Sequence, residues 1–292
     1  MLKILKNKKS AIKNRMNNFQ MIVLGFATVI IIGTLILMTP LASRAHEWTP
    51  ASDAMFTAVS AVCVTGLVVR DTAQAWSMFG QIIIIILIQI GGLGVITTSA
   101  FFALLAGRKI GLEQRTVMQE AISAPEVGGI VRLTRFILII TFAIEGIGAL
   151  LMFPVFSRDY GVKAGIWMSI FHSISAFCNA GFDIMGTHTG KFSSFISYAS
   201  NPVIVLTIAL LIICGGIGFL TWADIKKHSI HIKRYRMQSK VIISTTFFLI
   251  IIPALLFYFF ENNKMPENTR ILSSIFQAVT PRTAGFNTTD YG

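Results

Sequence analysis

The stretch Ser60-Ala61-Val62-Cys63-Val64-Thr65-Gly66-Leu67 decides the fold, because two altered copies of it follow in the chain. The second copy is Ser175-Ala176-Phe177-Cys178-Asn179-Ala180-Gly181-Phe182, and the third is Val279-Thr280-Pro281-Arg282-Thr283-Ala284-Gly285-Phe286. Each copy ends a short amphipathic segment that follows a long apolar segment and a polar link. After the first two copies comes a second long apolar segment with a glycine cluster, at 91–94 and at 215–218. This order predicts re-entrant pore loops between membrane spans, and therefore an ion channel or a channel-like transporter.

Composition also places the chain among membrane proteins. Hydrophobic residues make up 54% of its 292 residues, charged residues make up 13%, and the mean hydropathy is +0.70. One soluble core could not bury that much apolar surface. Because a membrane-spanning helix needs about 20 apolar residues, five spans are predicted, at 19–39, 79–106, 136–156, 203–223 and 241–260. Three shorter segments, 51–63, 165–178 and 270–280, have the lengths of re-entrant helices.

The formal charge of +12 is concentrated in the loops on one side of the predicted spans. These basic residues are Lys3, Lys6, Lys8, Lys9, Lys13, Arg15, Arg108, Lys109, Arg115, Arg132, Arg135, Lys226, Lys227, Lys233, Arg234, Arg236 and Lys240. By the positive-inside rule, their loops and the N-terminus are cytoplasmic, and the three motif loops open to the outside of the plasma membrane. Attraction to anionic lipid accounts for this charge, so a nucleic-acid partner is not expected.

The predicted fold class is an all-α polytopic membrane protein built from repeated units of helix, pore helix and helix. We predict a basic cytoplasmic tail at 1–18, a first unit at 19–106, a second at 130–224 and an incomplete third at 240–292. Cytoplasmic connectors at 107–129 and 225–239 join the units. The first apolar run is too long for a signal peptide and is predicted to remain as a span. The three cysteines define no disulfide framework.

The three motifs have the composition of a path lined by backbone carbonyl groups. A cation that leaves water needs fixed oxygens of weak individual field, and carbonyl groups supply them for potassium. Turning successive carbonyls towards one axis requires backbone angles that glycine adopts without steric cost. The predicted ion-binding residues are Val64, Thr65, Gly66, Asn179, Ala180, Gly181, Thr283, Ala284 and Gly285. Three further residues, Cys63, Cys178 and Arg282, are candidates for a role beside the pore.

Several other features allow two interpretations. The glycine clusters either permit close helix packing, which we favour, or form flexible points that line the pore. Glu145 lies inside a predicted span, where a carboxylate is costly, so it is either a functional group or a buried side chain with a partner. Arg282 either holds the third loop in place, which we favour, or repels entering cations. His172 is interpreted as a packing or hydrogen-bonding residue rather than an ion contact.

At these residues the sequence resembles a known family. The tracts 64–67, 171–182 and 276–287 resemble the first three selectivity filters of the Trk/Ktr/HKT potassium transporters, and 89–94 and 215–219 resemble the glycines of the matching second spans. Because the chain begins directly with the first repeat, it is most similar to the Ktr membrane subunit. The family has a further closing span and a fourth repeat, and this sequence stops after the third pore loop.

The resemblance implies a pseudo-fourfold pore that carries potassium inward, often with sodium as a coupling or activating ion. It also implies a homodimer that sits on a cytosolic ring of nucleotide-binding regulatory subunits. The basic connectors, including Arg108-Lys109 and residues 234–240, would then be docking surfaces for that regulator. Glycine rather than serine at Gly66 is typical of family members that prefer potassium to sodium.

Two other classes of function stay open at this point. A secondary carrier would bind its substrate at broken helices near the midplane, but such carriers usually have inverted repeats, whereas these repeats keep one orientation. A truncated membrane subunit that does not conduct is the other alternative. The sequence has no phosphate-binding loop, no metal-spaced Cys/His set and no nucleophile with a recognisable base, so neither an enzyme nor a tightly bound cofactor is expected.

Overall fold

Helices and loops make up the parts of the chain that the structure describes. The computed structural model describes residues 17–95, 97–100, 110–122, 129–261 and 265–289, and within these ranges there is no β-sheet. Three helical segments, Asn18–Leu37, Ile130–Tyr160 and Met237–Glu261, are long and apolar enough to cross a membrane. The bent pair Pro202–Gly216 and Phe219–His228 passes the same test when it is counted as one span. The protein is therefore an all-α membrane protein, as predicted.

The first part of the chain forms a long helix, a short helix and a second apolar helix. They are α1 (Asn18–Leu37), α2 (Ala51–Val62), the single turn α3 (Thr72–Ala75) and α4 (Met78–Leu93). Helix α2 starts directly after Pro50 and carries Asp53 in its first turn, near the positive end of the helix. The predicted re-entrant segment at 51–63 is thereby confirmed as a helix.

The same order of elements follows in the second part of the chain. After the connector helix α5 (Leu112–Ile122) come α6 (Ile130–Tyr160), α7 (Val162–Phe177), α8 (Pro202–Gly216) and α9 (Phe219–His228). Asn201 begins α8, because its side chain accepts hydrogen bonds from the N–H groups of Val203 and Ile204. Helix α7 matches the second predicted re-entrant segment, with a start three residues earlier.

The third part consists of a long apolar helix and another short helix. Helix α10 (Met237–Leu256) contains Pro253 and continues as the π-helical turn Phe257–Glu261. The short helix α11 (Glu267–Val279) is followed by a 3₁₀ turn, Thr280–Arg282. The apolar window of the Met237–Glu261 segment is 0% buried, which suits a surface that faces lipid hydrocarbon.

The structure differs from the sequence prediction in the second and fourth spans, which end or bend at their glycine clusters. Helix α4 ends at Leu93, before Gly94 with φ of 82°, and α8 ends at Gly216, before Gly218 with φ of 80°. Helix α9 then leaves α8 at an angle of 93°. Only glycine adopts this left-handed conformation at little cost, so the glycine clusters permit these breaks within the two apolar runs.

The short helices lie inside the molecule, between the long ones. Phe171 of α7 and Phe276 of α11 are fully buried, as are Phe156, Phe195 and Phe286 around them. These aromatic side chains fill the space behind the second and third motifs. The short helices are thus held by packing rather than by lipid.

Some sequence predictions fall outside the described ranges. Of the basic tail at 1–18, only residues 17 and 18 are described, and the second predicted span is described to residue 100 without residue 96. The connector residues Arg108-Lys109 and the chain end at 290–292 also lie outside the described residues.

Candidate functional site

Each glycine motif follows the C-terminal end of a short helix. Such an end carries a partial negative charge of roughly half an elementary charge, which favours a cation. In each motif one N–H group then turns back to a carbonyl oxygen of the helix end. These hydrogen bonds join Thr65 to Ser60 (2.9 Å), Ala180 to Ser175 (2.8 Å) and Ala284 to Thr280 (2.9 Å). The first two motifs therefore share one backbone turn, which spans five residues, and the third motif has a similar turn that is one residue shorter.

A hydroxyl group closes this turn in the second and third motifs. The Ser175 hydroxyl donates to the Phe182 carbonyl oxygen at 2.6 Å, and the Thr280 hydroxyl donates to the Phe286 carbonyl oxygen at 2.8 Å. Ser60 takes the same place in the first motif, but its hydroxyl has no hydrogen-bond partner among the described residues. Sequence reasoning missed this role. The recurring serine or threonine at the helix end was the available signal, although the third motif has one residue fewer before its glycine.

Backbone angles alternate in sign through the first two motifs. Val64 and Gly66 have φ of 56° and 82°, Asn179 and Gly181 have φ of 58° and 70°, and the residue between each pair is not left-handed. A β-branched residue such as Val64 rarely adopts positive φ, and such strain is typical of functional sites. The first two motifs therefore share one local backbone conformation, with a left-handed residue on each side of Thr65 and of Ala180.

The three motifs converge at one place in the molecule. A Cβ atom built on Gly66 would lie 2.7 Å from the Ala180 carbonyl oxygen and 3.3 Å from that of Ala284. A Cβ atom on Gly181 would lie 2.0 Å from the Ala284 oxygen and 3.5 Å from the Gly66 Cα. A Cβ atom on Gly285 would meet no described atom within 4 Å. Space as well as backbone conformation therefore requires glycine at the first two positions.

The glycine clusters bring the second apolar helices against the ends of the short helices. A Cβ atom on Gly91 of α4 would lie 2.1 Å from the Val62 carbonyl oxygen, and one on Gly215 of α8 would lie 1.8 Å from that of Phe177. Val62 and Phe177 are the last residues of α2 and α7. These contacts agree with the favoured interpretation, in which the clusters permit close helix packing.

The three candidates beside the pore have different surroundings. Cys63 is exposed, whereas Cys178 is half-buried and its Sγ lies 3.8 Å from Oε1 of Gln89. Arg282 is half-buried and donates from Nη2 to the Thr246 hydroxyl on α10 at 3.4 Å. This contact fits the favoured role of Arg282, which is to hold the third loop. Within the described residues, no group of three or more His, Cys, Asp and Glu side chains could hold a metal ion.

Polar side chains support the second motif from behind. His172 is fully buried and its Nε2 accepts a hydrogen bond from the Ile184 N–H at 3.1 Å, which confirms its interpretation as a hydrogen-bonding residue. The Asn179 amide lies 3.0 Å from the Ile212 carbonyl oxygen and 3.1 Å from that of Ala176, so its nitrogen is assigned to that side. Both contacts fix the chain on either side of Gly181.

A buried carboxylate ties the loop after the first motif to the loop after the second. Asp71 is 5% exposed, and its oxygens accept hydrogen bonds from the N–H groups of Ala73, Gln74 and Phe192.

The pKa of Asp183, in the loop after the second motif, is raised to about 6, first by burial and also by the nearby Asp71 carboxylate. At neutral pH, the ionised Asp183 carboxylate therefore lowers the free energy of unfolding. This loss of stability disappears as the pH falls through 6 towards the ordinary pKa of the group.

Replacement of Asp71 by alanine is expected to destabilise these two loops by about 2–4 kcal/mol, because three N–H groups lose a charged acceptor. Asp71→Asn should cost less, since its carbonyl oxygen still accepts from α3. The melting temperature in detergent and proteolysis of the 186–192 loop measure the effect. Glu47→Gln, at an exposed residue, is the control. An Asp71→Ala variant as stable as the wild-type protein would contradict the assigned role.

Long apolar helices, buried short helices and three glycine motifs that meet at one place define an all-α membrane protein. The chain belongs to the TrkH family of cation transport proteins, whose profile matches residues 1–292. It is 39% identical over 288 residues to the potassium/sodium uptake protein NtpJ of Enterococcus hirae, covering 97% of this chain and 62% of that protein. It is 38% identical to the Ktr system potassium uptake protein B of Bacillus subtilis, covering 94% and 61%. The Vibrio alginolyticus protein of the same name is 32% identical, covering 93% and 59%. The chain thus spans about three fifths of the length of these relatives.

Proposed function

We propose that this chain forms the potassium-conducting part of a Trk/Ktr-type uptake system in the plasma membrane. The ion would be held by backbone carbonyl oxygens of the nine predicted residues, three in each motif. The observation that carries the proposal is the approach of the Ala180 and Ala284 carbonyl oxygens to Gly66 and Gly181. Carbonyl dipoles can replace the water shell of potassium, and the negative ends of α2, α7 and α11 would add to the attraction.

The choice of potassium rests on the motifs and on the names of the relatives. The Ktr proteins are named for potassium uptake, and the Enterococcus hirae protein is named for potassium and sodium uptake. Glycine at Gly66 and Gly181 permits the φ values that direct carbonyl groups into the path, whereas serine would resist them. Sodium would act as a coupling or activating ion rather than as the preferred substrate.

The three parts of the chain would be three units around a pseudo-fourfold axis. Since three motifs surround an ion from three sides only, a fourth pore loop from outside this sequence would complete the ring. By the positive-inside rule, the N-terminus would lie in the cytoplasm and the motif loops would open to the outside of the cell.

The partners follow from the likeness to the Ktr subunits and from charge. Two copies of the complete protein would form a homodimer on a cytosolic ring of nucleotide-binding regulatory subunits. Basic residues in and next to the second connector, among them Arg234 and Lys240, would contact the regulator or anionic lipid headgroups.

The test is potassium uptake in a bacterial strain that lacks its own potassium transporters. The chain is expressed as printed and as a hybrid, in which it replaces the matching segment of the Enterococcus hirae relative. We expect the hybrid to take up potassium in preference to sodium. Gly66→Ser should lower that preference about tenfold, which corresponds to ~1.4 kcal/mol.

The matched control for this test is Gly129→Ser. Gly129 also has positive φ, 83°, but no described atom lies within 4 Å of its Cβ position, and it is far from the motifs in sequence. The Gly129→Ser variant should leave the ion preference unchanged. If the hybrid were equally selective for potassium with and without Gly66→Ser, the result would contradict the proposed filter. It would favour a carrier instead.

A further inference from the structure

Three polar side chains lead from the second motif towards the middle of a span. The Sγ atom of Cys178 lies 3.8 Å from Oε1 of Gln89, and Nε2 of Gln89 donates to Oε1 of Glu145 at 3.0 Å. Cys178 follows α7 directly, Gln89 belongs to α4 and Glu145 belongs to α6. These three side chains connect the beginning of the second motif with two other helices.

Glu145 is held firmly at its place in α6. It is 5% exposed, and its backbone carbonyl oxygen accepts a hydrogen bond from the Ser173 hydroxyl of α7 at 2.6 Å. Gly148 lets the helices approach, because a Cβ atom there would lie 2.6 Å from the same hydroxyl oxygen. A carboxyl group at this depth is costly and is usually kept for a function. Gln89 supplies the hydrogen bond that makes its burial tolerable.

The fold does not require polar residues at this place. Gln89 stands two residues before Gly91, and Ile213 stands two residues before the equivalent Gly215. When Ala149-Leu150-Leu151 is aligned with Ala254-Leu255-Leu256, Ile250 takes the place of Glu145. Between the second and third units, isoleucine therefore occupies both equivalent positions: Ile213 corresponds to Gln89, and Ile250 corresponds to Glu145. Since Gly215 packs under Phe177 as closely as Gly91 packs under Val62, helix packing alone does not explain the polar pair.

We propose that Gln89 and Glu145 are positioning residues that set the geometry of the second motif and thereby its preference for potassium over sodium. This inference rests on the proposed function. Cys178 immediately precedes Asn179, whose φ of 58° begins the turn that directs the carbonyl groups. Its Sγ is confined on one side by Gly92, where a Cβ atom would lie 2.6 Å away, and on the other by Gln89. A motif that keeps its dimensions holds its carbonyl groups at distances that suit potassium better than the smaller sodium ion, which is the size-based account of selectivity.

The test compares potassium and sodium uptake by the hybrid transporter described above. Glu145→Leu and Gln89→Leu should each lower the potassium preference about tenfold, the change that ~1.4 kcal/mol produces. Glu145→Gln still offers an oxygen to Gln89 and so keeps a neutral hydrogen bond of similar geometry. Its preference for potassium should therefore stay within about twofold of the wild-type value.

The double variant Gln89→Ile/Glu145→Ile separates a positioning role from a merely structural one. It reproduces the isoleucine pair between the second and third units, and it leaves neither partner buried and unpaired. It should therefore fold with a melting temperature at least equal to that of the single leucine variants, yet keep their low potassium preference. A folded double variant with wild-type preference would overturn the proposal, even if a single variant failed to fold.

Thr141→Val is the matched control in the same span. Thr141 lies one turn before Glu145, is fully buried, and its hydroxyl has no partner among the described residues. Its replacement should leave the ion preference unchanged. If the wild-type hybrid shows no potassium preference, the proposed function fails. If the wild type prefers potassium and responds to Gly66→Ser, but the Glu145 and Gln89 leucine variants keep its preference, only the present inference fails.

Discussion

Replacing Gly181 with serine is expected to abolish selective potassium uptake. Gly181 has φ of 70°, a conformation that costs a residue with a Cβ atom roughly 1–2 kcal/mol. The new Cβ atom would also lie 2.0 Å from the Ala284 carbonyl oxygen. Because that oxygen belongs to the backbone of the third motif, it cannot rotate away as a flexible side chain would. The second and third motifs must then separate, and their carbonyl groups no longer face one ion.

The measurement for Gly181→Ser is the rate of potassium uptake by the hybrid at equal amounts of protein in the membrane. Gly190→Ser is the control, because Gly190 also has positive φ, 111°, but a Cβ atom there would meet no described atom within 4 Å. The control should transport at the wild-type rate. A Gly181→Ser protein with unchanged rate and unchanged ion preference would mean that this glycine does not lie on the ion path.

Replacing Gly215 with alanine is expected to prevent the correct assembly of the second unit. The added methyl group would lie 1.8 Å from the Phe177 carbonyl oxygen and 2.9 Å from the Phe177 carbonyl carbon. Overpacking of this kind typically costs about 1–3 kcal/mol and occasionally more. Here the obstacle is the end of α7, so α8 must move away from the second motif. We expect a lower melting temperature and little monodisperse protein in detergent.

The control for Gly215→Ala is Gly146→Ala in α6. A Cβ atom on Gly146 would meet no described atom within 4 Å, and alanine favours a helix over glycine by about 0.5–1 kcal/mol. This variant should be as stable as the wild-type protein or slightly more stable. If Gly215→Ala gave the same melting temperature as Gly146→Ala, the close contact between α8 and the end of α7 would be wrong.

The short helices could be predicted from the sequence because local signals mark them. Pro50 precedes α2, glycine motifs follow all three helices, and their apolar stretches are too short to span. The predicted segments 51–63, 165–178 and 270–280 agree with Ala51–Val62, Val162–Phe177 and Glu267–Val279 to within three residues. The unusual backbone angles expected of the motif glycines are also present, with φ of 82° at Gly66, 70° at Gly181 and 83° at Gly285.

Other features depend on contacts between distant parts of the chain and were not predictable from local patterns. Gln89 and Glu145 are 56 positions apart, and Asp71 binds the Phe192 N–H 121 positions away. No propensity indicates that Val64, a β-branched residue, adopts positive φ, because surrounding packing overrides its preference. The glycine clusters marked an interruption of the apolar runs 79–106 and 203–223, but the 93° bend between α8 and α9 was not predictable from them.

The most direct test of the account is to locate the bound ion. The hybrid protein is crystallised with rubidium in place of potassium, and the anomalous scattering of rubidium marks its position. We expect a peak between the three motifs, in contact with the carbonyl oxygens of Thr65, Ala180 and Ala284. A strong peak held by side chains elsewhere, with none between the glycine motifs, would contradict the claim that these carbonyl groups bind the transported ion.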